Sequence, residues 1–319
     1  MDDQIMVSVI VLTYNHEKYI RQALDSILMQ EVDFRYEILV GDDASVDHTP
    51  EILKEYQKKH PDIFHLYLRT QNLGATRNSY ELLTSCRGVF IAACEGDDYW
   101  TDSLKLKKQV EFLRDHPEFI GCSHDCKIVD ELGRPARKQA LPWVSNKKVF
   151  TLNDFKGKML PGQAATIVRR NIYCNQRCDY SIFYRAHPQI GDRTTILCYA
   201  AQGKFYHMPV IMSCYRRSNA GKGLSSGVFS KRSESLLEDL EFTEKLENFA
   251  INELNVNAGF DYHKKDLFVS SIYYYLLGEK ENAQLAMIRI LRKTQNPIKL
   301  LIYVPFGVVK KMFHKIIYY

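Results

Sequence analysis

Glu95-Gly96-Asp97-Asp98 sets three carboxylates within four consecutive residues, directly after the apolar run Val89-Phe90-Ile91-Ala92-Ala93-Cys94 and before Tyr99-Trp100. A strand that delivers acidic side chains to its own C-terminal end builds an oxygen-rich site for a hard divalent cation. Mg²⁺ or Mn²⁺ suits such a site when phosphates complete the coordination. Taken alone, the tetrapeptide also reads as a solvated acidic turn. Two further polar clusters shift that balance: Thr13-Tyr14-Asn15 closes the apolar run Val7–Leu12, and Asp42-Asp43 closes the run Tyr36–Val40. Ligands of open α/β sheets gather beyond the carboxyl ends of the strands, so clusters converging on one edge make a site.

The elements that must position these residues follow from hydrophobic period. Val7–Leu12 is β-branched and apolar, as in a strand covered on both faces. Glu17–Gln30 repeats apolar residues at Ile20, Ala23/Leu24 and Ile27/Leu28, which is helical spacing. Tyr36–Val40 is a second strand. Thr49 before Pro50 predicts a capped helix running to Lys59, and Asp47 reads as a turn or cap residue. Phe64–Leu68, a helix over Thr76–Cys86, and a strand over Val89–Cys94 complete a β-α-β-α-β-α-β order, which predicts a mostly parallel sheet flanked by helices. Beyond it come a helix from Lys105 to His116, strands over Gly121–Val129 and Gln163–Val168, and a short helix over Leu152–Met159. A helix from Gly191 to Ala201 and a strand over Pro209–Tyr215 follow. The Gly/Ser-rich stretch Ser218–Ser226 is expected to be a loop and a candidate lid.

A composition shift near Ser230 starts a helical appendage over Ser233–Leu254, Lys264–Leu277 and Glu281–Arg292. The expected domains are 1–227, with a nucleotide-binding half at about 1–105 and an acceptor half at about 106–227, and a helical region at 228–319. The tail Ile298–Tyr319 mixes Leu300–Val304 with Lys310, Lys311 and Lys315. Two readings stay open for it: an interfacial segment with its lysines on anionic headgroups, or a helix packed on the core.

A net charge of +5 suits an anionic ligand or a membrane surface and does not call for nucleic acid. Met1-Asp2-Asp3-Gln4 is acidic, and the apolar stretch behind it is too short for a secretory signal. The expectation is a cytoplasmic protein, peripheral on the inner membrane face if the tail binds lipid, with its eight cysteines reduced. Neither Cys122/Cys126 nor Cys174/Cys178 has zinc-ribbon spacing. His124, His187 and His207 show no metal spacing either, although His187 lies near Asp192 as a candidate acceptor contact.

Four stretches resemble the inverting family 2 glycosyltransferases, enzymes of the GT-A fold. They are Val9–Asn15, Val40–Thr49 with Asp42-Asp43-Ala44-Ser45, Asn72–Asn78 with Arg77, and Glu95–Trp100. The resemblance is strong over about 5–105 and weaker to about 217. It implies a nucleotide-diphosphate-sugar donor, with a uridine base expected, held by Thr13, Tyr14, Asn15, Asp42, Asp43 and Arg77. Tyr14 would lie against the base, and Asp43 would accept from a uracil-type N–H. Asp97, with Glu95 or Asp98, would stand at the metal motif, where Glu95 replaces the first aspartate. Asp192 in Gly191-Asp192-Arg193 would be the general base, its alternative role being a helix cap, and Arg216 would contact the diphosphate.

The chemistry agrees with that implication. A departing diphosphate gathers negative charge that a cation stabilises, and inversion needs one base on the acceptor hydroxyl. The expected function is metal-dependent transfer of a sugar to a hydroxyl of a growing, lipid-linked glycan in surface polysaccharide synthesis. The alternatives are a non-catalytic nucleotide- or glycan-binding protein of this fold, or a sugar nucleotidyltransferase. The latter would need a glycine-rich phosphate loop that Thr13–Glu17 does not supply.

Overall fold

The computed structural model describes residues 4–175, 179–217 and 234–293. The candidate lid 218–226, the tail 298–319 and Cys178 lie outside them. The chain divides into two compact units, Met1–Phe155 with Met159–Gly223, and Lys156–Lys158 with Leu224–Tyr319.

The first unit is built on a nine-stranded sheet among the described residues. Its strands are β1 (Val7–Thr13), β2 (Tyr36–Asp42), β3 (Phe64–Leu68), β4 (Phe90–Ala93), β5 (Tyr99–Trp100), β6 (Phe119–Val129), β7 (Val149–Phe150), β8 (Val168–Arg170) and β9 (Lys204–Arg216). They run in the order β3-β2-β1-β4-β8-β6-β9-β5, with β7 also on β9. The half built from β3, β2, β1 and β4 is parallel throughout. The other half is mixed: β8 is antiparallel to both β4 and β6, β6 and β9 are parallel, and β5 and β7 run antiparallel to β9.

The helices of this unit are α1 (Ile20–Leu28), α2 (Thr49–Lys59), α3 (Ala75–Ser85), α4 (Lys105–Asp115), α5 (Leu152–Phe155), α6 (Ile182–Arg185) and α7 (Asp192–Ala200). Val7, Val9 and Val11 of β1 and Ile38 and Val40 of β2 are wholly buried against Ile20, Leu24 and Ile27 of α1 and Leu53 of α2. The apolar spacing seen in the sequence is therefore the packing itself.

Three expectations need correction. The strand placed over Gln163–Val168 is a 3₁₀ turn over Ala164–Thr166, and the strand β8 starts only at Val168. Gln163 drives this, because its side chain accepts from the Ala165 N–H at 2.7 Å and its carbonyl accepts from the Thr166 hydroxyl at 2.7 Å. The helix expected to Met159 stops at Phe155, where Lys156 and Gly157 take φ values of 48° and 79°. Strand β9 is longer than Pro209–Tyr215, and it absorbs Pro209 at an irregularity where pairing jumps from His124↔Met208 to Asp125↔Ile211. Proline has no N–H to give a ladder, so a strand interior tolerates it at such a step.

The short strand β5 was not legible from period, and it joins the acidic turn to the far half of the sheet. Tyr99 pairs with Cys214 and Trp100 with Ser213. Trp100 is 2% exposed, donates its indole N–H to the Ala165 carbonyl at 3.1 Å, and donates its backbone N–H to Ser26 Oγ at 3.0 Å. The Lys105 ammonium sits 4.1 Å from the ring centroid, and burial pushes that amine down to about 7.

The second unit contains α8 (Glu234–Asn252), α9 (Phe260–Leu276) and α10 (Lys280–Lys293), packed through Leu236, Leu240, Leu267, Phe268, Ala286 and Ile290. Glu244 of α8 binds Arg289 and Lys293 of α10 at 2.6 and 2.9 Å. Among the described residues no helix is long and apolar enough to cross a membrane.

Truncating Trp100 removes a fully buried side chain beneath the acidic turn along with its indole hydrogen bond to the Ala165 carbonyl. Trp100→Ala is expected to cost about 3–5 kcal/mol in urea unfolding, with the loss visible in the midpoint.

Candidate active site

The loops after β1 and β2 are sewn together. Asn15 adopts φ 56°, its N–H donates to Ser45 Oγ at 2.8 Å, and its Oδ1 accepts from the Val46 N–H at 2.9 Å. The His16 N–H donates to Thr49 Oγ1 at 2.9 Å, and the Glu17 N–H to Asp47 Oδ2 at 3.1 Å. Thr49 therefore does not cap α2 with its hydroxyl. The N-cap position is His48, and Asp47 just before it accepts from the Thr49 N–H at 2.9 Å. Tyr14 stands between these ties, 37% exposed at the rim.

Asp42 and Asp43 are both buried and both engaged. Asp42 accepts from the Ser45 N–H at 3.0 Å and from the Ser45 hydroxyl, so it shapes the loop, while burial raises its carboxyl above the usual range. Asp43 accepts from the Leu73 and Gly74 N–H groups at 2.7 and 3.0 Å. The resemblance assigns Asp43 to the base; here both its oxygens fix the start of α3. From there the ties continue to the base candidate. Thr76 donates its hydroxyl to the Pro188 carbonyl at 2.8 Å, and His187 Nδ1 accepts from the Gln189 and Ile190 N–H groups at 3.1 and 3.0 Å. Gly74 sits at φ 85°, and a Cβ there would lie 2.9 Å from the Pro188 oxygen, so only glycine allows this approach.

The carboxylate oxygens of Glu95, Asp97 and Asp98 lie within 4.8 Å of one another. They divide by what they touch. Asp98 is 1% exposed and accepts from the Gln163 side chain at 2.8 Å and from the Arg216 backbone N–H at 2.8 Å. Both its oxygens serve the fold, and burial first, then Asp97 and Glu95, holds its carboxyl well above the usual range. Glu95 and Asp97 have no side-chain hydrogen bond or ion pair among the described residues. Burial, then the charges of Asp97 and Asp192, pushes Glu95 up to about 8.

Asp192 opens α7, likewise without a partner among the described residues. The residue is accessible to solvent, yet protein surrounds its carboxyl closely enough that desolvation raises it, opposed by the buried cation Arg169. Arg169 of β8 lies 5.0 Å from the centroid of Tyr199, seven residues along α7 from Asp192. Its position within the short strand β8 carried no sequence signal for this part.

Two residues that the resemblance assigns to the donor make contacts of their own here. The Arg216 guanidinium donates from Nε to the Asp97 carbonyl at 2.8 Å, from Nη1 to the Asp130 and Glu131 carbonyls at 3.2 and 3.1 Å, and from Nη2 to Gln22 at 2.7 Å. It also lies over Tyr19 and Tyr99. With those donors engaged, it braces the acidic turn. Arg77 is half-exposed, 5.4 Å from the Tyr184 ring centroid and 3.4 Å from Glu81. Neither contact turns it toward the carboxylates.

The residues present fit a hard cation. Two unpartnered carboxylates converge, and Gly96 between them lets His16 and Thr13 pack close, since a Cβ there would meet His16 Nδ1 at 2.7 Å and Thr13 Oγ1 at 3.0 Å. The Thr13 hydroxyl is itself buried without a partner.

The family model described as Glycosyl transferase family 2 matches residues 8–174. An uncharacterized protein of Mycobacterium tuberculosis is 34% identical over 224 residues, covering 67% of this chain and 60% of its own length. TuaG of Bacillus subtilis, named provisionally as a teichuronic acid biosynthesis glycosyltransferase, is 36% identical over 108 residues, covering 34% of this chain and 42% of its own. Among solved structures, S. aureus TarS residues 1–349 in complex with UDP-GlcNAc superposes with a TM-score of 0.60 at 20% identity. That match covers 90% of this chain and 80% of TarS 1–349, and it is a likeness of fold.

A raised Glu95 carboxyl binds its proton more tightly folded than unfolded. In the metal-free protein, stability from this group is complete below its ordinary value of 4.5 and is lost as pH climbs toward about 8. Thermal melts without metal should therefore fall across that window, Mn²⁺ should restore more at its upper end, and Glu95→Gln should flatten the slope. A melting temperature indifferent to Mn²⁺ throughout would count against the cation site. The two aspartates should also separate: Asp98→Ala lowers the melting temperature sharply, whereas Asp97→Ala leaves it near wild type and removes the Mn²⁺ response. Equal destabilisation by both would contradict the division described above.

Proposed function

Because the chain belongs to glycosyl transferase family 2, we propose that it is an inverting enzyme that transfers a sugar from a nucleoside-diphosphate donor, with a uridine base, to a hydroxyl of a growing glycan. One observation carries this reading. Glu95, Asp97 and Asp192 remain unpartnered while Asp42, Asp43 and Asp98 are engaged in holding the fold. Leaving carboxylates bare and mutually repelling is costly, and a cationic or proton-bearing ligand is what repays it.

In this reading Tyr14 stacks at the nucleobase, with Thr13, Asn15 and the Asp42-braced loop framing the nucleotide. Asp43 acts through the backbone of Leu73 and Gly74. Glu95 and Asp97 would hold Mn²⁺ or Mg²⁺, which when bound offsets the negative charge of the diphosphate. Asp192 accepts the proton of the acceptor hydroxyl as that oxygen bonds to the anomeric carbon. The bond from that carbon to the donor phosphate breaks, and the nucleoside diphosphate leaves with its electron pair. A carboxyl raised by desolvation is a stronger base than one in water, and the charge of Arg169 opposes part of that rise. Opening α7 adds the favourable end of a helix dipole to the ionised form.

The TuaG likeness supports an acceptor in surface polysaccharide synthesis, and a lipid-linked glycan at the cytoplasmic membrane face fits the basic, aromatic tail.

Asp192→Asn keeps the shape and removes the base. Transfer should fall by roughly 10²–10⁴-fold, while calorimetric UDP binding in Mn²⁺ stays within a few-fold of wild type. Undiminished turnover would take Asp192 out of the role. Nucleotide binding by the wild-type protein with no turnover on any donor in a panel of nucleotide sugars would favour the non-catalytic alternative.

A further inference from the structure

His16 follows Thr13-Tyr14-Asn15 and has no part in the scheme above. Its ring is 7% exposed, and neither ring nitrogen has a hydrogen-bond partner among the described residues. The backbone beneath it is fixed. Its N–H is bound to Thr49 Oγ1, and its carbonyl accepts from the Tyr19 and Ile20 N–H groups, both at 2.9 Å. Nδ1 and the orphaned Thr13 Oγ1 lie within 3.0 Å of one point, the place a Cβ on Gly96 would occupy. Two bare polar groups thus back onto the turn that carries Glu95 and Asp97.

Buried polar groups left unpaired bear their full desolvation penalty, so the arrangement calls for a partner that comes with the ligand. The carboxylates acting on the ring are Asp97 first, then Asp47 and Asp42. Asp47 and Asp42 are held by Thr49, Glu17 and Ser45. Asp97 alone of the three is unengaged among the described residues.

We propose that His16 is a positioning residue of the cation site, its ring N–H binding the outer oxygen of Asp97 while the inner oxygen ligates the divalent cation. This rests on the cation reading given above. A neutral imidazole offers one donor and one acceptor, so the Thr13 hydroxyl completes the set by donating to the other nitrogen. Partners of this kind orient a ligating group, and their loss typically weakens metal binding without touching the metal.

The test is Mn²⁺ titration of the full, nucleotide-free chain by calorimetry and electron paramagnetic resonance, with a thermal melt of each variant. His16→Phe should bind Mn²⁺ about 10–100-fold more weakly, with a metal-free melting temperature no lower than wild type. His16→Gln, which keeps an N–H, should recover part of the loss, and Thr13→Val should fall between. Wild-type Mn²⁺ affinity in folded His16→Phe overturns the proposal. So does a loss confined to metal-free UDP binding, which would make His16 a nucleotide contact. If His16→Phe does not fold, unchanged Mn²⁺ affinity in Thr13→Val overturns it. A wild-type chain that ignores Mn²⁺ overturns the cation reading itself, and the role of His16 with it.

Discussion

Negative charge crowded at the rim of a sheet and partly withdrawn from water repels itself, and most of the first unit can be understood as a response to that repulsion. Asp98 stays buried because it receives two hydrogen bonds, one from Gln163 and one from the backbone of Arg216. These bonds have a topological consequence. The second anchors β9 to the acidic turn, and β5 pairs antiparallel beside it, so the turn is clamped between the parallel half of the sheet and the mixed half. Arg216 adds its guanidinium to the Asp97 carbonyl and to the 130–131 backbone. The clamp holds the backbone rigid while two of its carboxylates stay bare, and preorganisation of this kind keeps a binding site from rearranging when its ligand arrives.

The parallel half was legible because its signals are local. Buried strands read as β-branched runs, α1 and α2 read by their apolar spacing, and the acidic and polar residues fall at strand ends where the topology must gather them. What could not be read is which carboxylates are in use. Asp42, Asp43, Asp97 and Asp98 are the same residue type in the same kind of place. The difference between them lies in partners 3 to 118 positions away, among them Ser45, the Leu73 amide and the Arg216 amide. Gln163 misled for the same reason. Its run looked like a strand by composition, and a side-chain acceptor two residues from an N–H made it a turn. The pairing of β5 with β9 is likewise a long-range event with no periodicity to announce it.

His16 shows the converse. Its sequence context pointed nowhere, since a histidine after an asparagine at a strand end is compatible with many surface roles. Burial changes its meaning: an imidazole in water needs no explanation, whereas one enclosed with both nitrogens bare does. Lys105 is enclosed in the same way, but over the face of Trp100 and away from any strand end, where the ring's electron density compensates part of the charge. The two buried bases therefore differ in kind. One is stabilised by an aromatic face in the core, and the other faces a turn whose carboxylates are incomplete.

Glu95 links the two ends of the site. It feels both Asp97 on one side and Asp192 on the other, while Asp192 is governed by desolvation and by Arg169. Repulsion between two carboxylates is mutual, and it is expressed at whichever titrates later, here Glu95. The proton that Glu95 retains is thus partly a consequence of the charge on Asp192. An aspartate at position 95, one methylene shorter, would hold its charge closer to the strand end. The longer side chain is the one that feels the charges of both Asp97 and Asp192.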